Sequence, residues 1–195
     1  MKENSDTTKA AWKASKFSWI KDIIYINVLA KLKGKEYANI LDIASLNEDL
    51  LNKLSDNFSQ SRYYAFVNSD IKFKNLNIRI ETNEEKLKTT QYDLVLSVFN
   101  FHQMNILEIE NFINLISSIS DENTNILLSD IATNGFFGEL MLGLGKIFNP
   151  RIKSVIPTEK VIELLTNKNL TIVENDKFKI NGIWSAWIIT CKKET

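Results

Sequence analysis

The chain has 195 residues, 44% of them hydrophobic and 25% charged, with Lys+Arg and Asp+Glu balanced at 24 each. That length supports one domain with a sizeable core, and the absence of a basic excess or stripe argues against a nucleic-acid partner. The single cysteine, Cys191, cannot form an intramolecular disulfide and fits a reducing compartment. The N-terminus has no apolar signal core and no apolar run is long enough for a membrane span, so a cytoplasmic location is expected.

Residues 1–36 read as an N-terminal helical extension, polar and disordered over roughly the first ten. Within it Phe17, Ile20, Ile24, Val28 and Leu32 recur at helical spacing up to Gly34. Residues 37–195 read as an α/β domain. "ANILDIA" predicts a first strand and "NEDLLNKLSDNF" a helix, with Asn47 as its N-cap. "YYAFVN" and "LNIRIE" predict two more strands, "YDLVLSVF" a fourth buried on both faces, and "ILEIENFINLISSI" an amphipathic helix. "TNILLSDI" predicts a fifth strand. "GFFGELMLGLGKIF" is apolar and rich in glycine, and "IPTEKVIELLTNKN" begins as a helix with a Thr158 cap. "LTIVENDKFKI" and "IWSAWIITCKK" then predict a terminal antiparallel pair, with Trp184 and Trp187 on opposite faces. Strands alternating with helices imply a mostly parallel sheet covered on both sides.

This order of segments resembles a class I S-adenosylmethionine (SAM)-dependent methyltransferase over roughly residues 17–193, nearest the small-molecule enzymes of quinone-biosynthesis type. "ILDIA", "YYAFVN", "YDLVLSVFNFHQM" and "NILLSDI" carry the likeness as strands one, two, four and five. The resemblance implies a Rossmann-like fold with a terminal antiparallel strand, SAM as cofactor and a small, largely apolar substrate. It also implies site residues, taken one at a time. Asp42 keeps the acid that opens the family's glycine loop, but Ala44, Leu46 and Glu48 occupy the glycine positions, with Ser45 between them. Glycine there lets the backbone approach the cofactor.

Asn68 falls where the family has an acid on the ribose hydroxyls, and it can accept one hydrogen bond and donate another. Asp70 is a second candidate for that place, or a turn residue. Only "SDIKFKNL" separates the second and third strands, short of the dozen or so residues of a helical crossover. Asn83 or Glu84 takes the position that reads the adenine amino group, unless the run is simply a solvated charged face. Ser97 and Asn100 are expected on the methionine side of the cofactor.

His102, the only histidine, is expected to face the substrate and to move a proton near neutral pH, or else to cap the next helix or pack on Phe99 and Phe101. Phe101, Phe136, Phe137, Met141 and Trp19 are expected around the substrate. No metal site is expected. Residues 136–148 suit either a cavity wall or a protein interface, homodimeric or heteromeric. Three readings follow: a methyltransferase, a cofactor-independent cyclase or isomerase, and a non-catalytic methyltransferase-fold partner subunit.

Overall fold

The structure is a computed structural model that describes residues 18–43, 48–67, 73, 77–132, 152–180 and 184–194. Helix α1 runs from Ser18 to Leu32. It buries Ile20, Ile24, Val28 and Leu32, the four residues that the helical spacing puts on one face. Gly34 ends it with a φ of 79°, a left-handed conformation that glycine takes without a Cβ penalty.

Among the described residues seven strands follow: β1 (Asn39–Ile43), β2 (Arg62–Phe66), β3 (Ile78–Glu81), β4 (Leu94–Val98), β5 (Asn125–Ala132), β6 (Leu170–Ile180) and β7 (Trp184–Lys193). They form one sheet in the order β3-β2-β1-β4-β5-β7-β6. The pairs from β3 to β5 are parallel. The pairs of β7 with β5 and with β6 are antiparallel, the expected terminal pair. Continuous apolar sequence explains the centre: all five residues of β4 are buried, as a strand covered on both faces requires.

The helices divide between the two faces. α1 and α2 (Asp49–Asn57) pack with Ile40, Ala65, Leu96 and Ile188. α3 (Glu84–Leu87), α4 (Ile106–Ile119) and α5 (Thr158–Thr166) pack with Leu41, Tyr64, Val95, Leu128 and Ile189 on the other. Trp184 packs in the first layer and Trp187 in the second, so the odd spacing does send them to opposite faces. Asp93 pins the start of the sheet, its Oδ2 accepting from the N–H groups of Ala38 at 2.9 Å and Asn39 at 2.7 Å.

Two helix starts differ from expectation. Glu48 rather than Asn47 holds the N-cap position of α2, and Pro157 rather than Thr158 that of α5; neither makes a side-chain cap. Thr158 is instead buried as the first helical residue. α4 has the capping box: Asn105 Oδ1 accepts from Glu108 N–H at 2.9 Å and Glu108 Oε2 from Asn105 N–H at 2.7 Å.

Strand order sets the place of a site. The chain leaves β1 toward β2 and later returns beside β1 as β4, so a crevice opens at the carboxyl ends of β1 and β4. Residues 67–77 alone connect β2 to β3, and α3 is four residues long.

Candidate functional site

Asn100 lies at the β1–β4 crevice and is buried. Its Nδ2 donates to the Ile43 carbonyl at 3.5 Å and to Ser97 Oγ at 3.3 Å, tying the two strand ends together. Asp42 is one residue back on β1 and also buried, on the face opposite Ile43. It lies near Tyr25 of α1, whose phenol is pushed up by burial and then by the charges of Asp42, Asp49 and Asp22. The N-terminal helix thus reaches the site through Tyr25, a buried residue outside the predicted apolar stripe.

Beyond β4 the chain makes a 3₁₀ turn, Phe101–Gln103. With three residues per turn, successive side chains diverge by about 120°. Phe101 points into the core, its ring 5.6 Å from Phe112 and 5.3 Å from Trp187. His102 points to Asp130 on β5. Gln103 points into a cleft.

His102 and Asp130 form the most organised polar contact of the site. Both are buried, 2% and 1% exposed. His102 Nδ1 lies 2.8 Å from Asp130 Oδ1, and the His102 backbone N–H donates to Oδ2 at 2.9 Å. The Ile131 N–H donates to Oδ1 at 2.6 Å. A carboxylate accepts only, so the contact at Nδ1 places a proton there and leaves Nε2, in the neutral ring, as the acceptor. His102 does not cap α4, which Asn105 does. Phe99 packs against the imidazole, the ring centroids 4.4 Å apart at 53°. Phe99 has a φ of 63°, a conformation that costs a non-glycine residue about 1–2 kcal/mol.

The segment 152–154 is stitched to this turn. Lys153 N–H and Ser154 N–H donate to the His102 carbonyl at 2.9 and 3.3 Å, and Ser154 Oγ donates to the Met104 carbonyl at 2.7 Å. Lys153 Nζ reaches both carboxylate oxygens of Glu108, at 2.6 and 2.8 Å. Lys153 and then the Asn105 N–H hold the Glu108 carboxyl below its ordinary value. A depressed folded value means stability that is present above the unfolded value, near 4.3, and lost as pH falls through the folded one. Glu108→Gln should therefore lower the urea midpoint at pH 7 and match wild type near pH 2. An equal deficit at both pH values contradicts this.

A cleft of about 700 Å³ opens between α3 and α4. Ile43 and Phe66 bring the ends of β1 and β2 to it, and Met104, Phe112 and Leu115 supply further apolar surface. Gln103, Asn111 and Asn114 supply amides, while Glu84 and Lys88 stand on the α3 side. Asn83 caps α3, its Oδ1 accepting from the Glu85 N–H at 2.9 Å. Trp19 is half-buried against the α1 layer. The expected site residues Ala44, Ser45, Leu46, Asn68, Phe136, Phe137 and Met141, with Asp70 and the segment 136–148, lie outside the described residues. Burial raises the Cys191 thiol to about 12, which leaves negligible thiolate at neutral pH.

No family model and no curated protein matches the chain. Solved structures do. A 1,6-didemethyltoxoflavin-N1-methyltransferase of Burkholderia thailandensis, solved with 1,6-didemethyltoxoflavin and S-adenosylhomocysteine, aligns over 99% of this chain and 90% of its own, with a TM-score of 0.67 at 11% identity. The fold is that of the class I methyltransferases. The N-methyltransferase NodS of Bradyrhizobium japonicum, in complex with S-adenosylhomocysteine, covers 88% of this chain and 86% of its own at 14% identity, TM-score 0.61. The cyclopropane synthase MmaA2 of Mycobacterium tuberculosis covers 87% and 82% at 12% identity, TM-score 0.64. Identities this low establish the fold and leave the activity to the site.

Proposed function

We propose that the protein is a SAM-dependent methyltransferase acting on a small, largely apolar molecule, with His102 as general base. The observation that carries the reading is the buried His102–Asp130 contact at the ends of β4 and β5, the edge of the sheet where methyltransferase-fold sites form. A structural histidine is satisfied by any acceptor. Here one carboxylate holds both the ring and the backbone of His102, which fixes the tautomer as well as the position.

In this reading the cofactor would be held by residues of the cleft and of the β1–β4 crevice. The cleft starts at Ile43 and Phe66 and offers apolar faces and neutral amides to a nucleoside. Ser97 and Asn100 at the strand crevice would hold the amino-acid end. When bound, SAM supplies an electrophilic methyl group. His102 Nε2 takes the proton of the acceptor, an O–H or an acidic C–H, and Asp130 stabilises the imidazolium that results. The cleft adjoins the His102 turn through Gln103 and Met104, which would orient the two reactants.

The test separates chemistry from binding. His102→Ala should lower methyl transfer to hydroxylated aromatic acceptors by about a hundredfold or more while leaving SAM affinity unchanged. An unchanged rate sinks the base assignment. A second reading, a methyltransferase-fold subunit without turnover, is favoured by the four-residue α3 beside the cleft and by the eleven residues, 67–77, that link β2 to β3.

A further inference from the structure

Among the described non-glycine residues only Phe99 and Asn169 have a positive φ, 63° and 57°. Asparagine tolerates that region; phenylalanine rarely enters it. Backbone outliers of this kind persist where the surroundings enforce them, and they cluster at functional sites. The enforcement is visible on both sides of Phe99. Its N–H still donates to the Ser129 carbonyl at 2.8 Å, holding the chain on the sheet. Three residues later the His102 N–H is held by Asp130 at 2.9 Å. The chain must turn between these two anchors, and the left-handed turn carries the Phe99 ring against the imidazole.

Asp130 grips the imidazole at one edge. Nδ1 meets both carboxylate oxygens, at 2.8 and 3.1 Å, but contacts at one ring atom alone leave the ring free to rock, or to turn over and lose them. The Phe99 ring packs against the imidazole, the centroids 4.4 Å apart and the planes tilted by 53°. Glycine at position 99 would suit the backbone and remove that packing. We propose that Phe99 is a positioning residue: with Asp130 it holds His102 in one orientation, Nδ1–H on the carboxylate and Nε2 as proton acceptor. The catalytic consequence rests on the general-base reading; the orientation does not.

His102 is the only histidine, so its imidazole signals stand alone in a histidine-labelled NMR spectrum. The wild type should show one Nδ1–H tautomer and ring protons shifted upfield by Phe99. Phe99→Tyr should keep both features. Phe99→Leu and Phe99→Gly should lose the upfield shift and mix tautomers. Their kcat should fall on the order of tenfold to a hundredfold, with KM for SAM unchanged.

The proposal is overturned if the Leu and Gly variants keep the wild-type tautomer and rate. It is overturned equally if the wild type has mixed tautomers and no upfield shift, a result that needs no variant to fold. Tautomer loss in the variants without any SAM turnover by the wild type upholds the positioning and removes the catalytic reading beneath it.

Discussion

Asp130→Ala is expected to lower stability by about 3–5 kcal/mol and to remove methyl transfer. Three donors meet the carboxylate: the His102 ring at Nδ1, the His102 N–H and the Ile131 N–H. Alanine leaves them buried without that acceptor, at about 1–3 kcal/mol for each one left unsatisfied. Burying the carboxylate is itself costly, which keeps the net loss below the sum. Asp130→Asn keeps the shape and one acceptor oxygen, so it should cost less. It should still impair the base, because an amide stabilises the imidazolium poorly. Chemical denaturation and single-turnover rates read the two effects separately. An Ala variant as stable as wild type would mean that the buried contact does not form.

Trp187→Ala is expected to cost about 3–5 kcal/mol, a fall in melting temperature of about 6–20 °C. Trp187 is 1% exposed, and its neighbour across the antiparallel β5–β7 ladder is Asp130. Its ring meets Phe101 edge to face at 5.3 Å, so it supports the turn that carries His102. The indole N–H is buried without a hydrogen bond. Trp187→Phe should therefore cost much less than Trp187→Ala, because only packing is lost. Equal losses would show that the N–H matters. The Ala variant should also reduce turnover, since Phe101 and His102 share one 3₁₀ turn.

Much of the fold is legible in the sequence for simple reasons. Ile20, Ile24, Val28 and Leu32 keep one helical face, and "YDLVLSVF" is apolar on both faces of a strand, so α1 and β4 fall where the pattern puts them. The site is less legible because it depends on register and local turn geometry. Asp130 reads as one polar residue near the end of an apolar strand. It becomes the partner of His102 only because β5 pairs with β4 and outruns it. The direction of Phe101 is set by the 3₁₀ turn, which points it into the core. The conformation of Phe99 has no sequence signal at all, since composition favours glycine or asparagine there. The capping box of α4 was present as Asn105 and Glu108, three apart, the spacing that motif requires.

The proposed function requires that this chain bind SAM beside His102. Thermal unfolding of the wild type with S-adenosylhomocysteine tests it most directly. Ligand at a hundred times Kd should stabilise the fold by about 2.7 kcal/mol, a rise of about 5–11 °C. A melting temperature unchanged at millimolar S-adenosylhomocysteine would contradict the account and leave the non-catalytic subunit as the better reading of the fold.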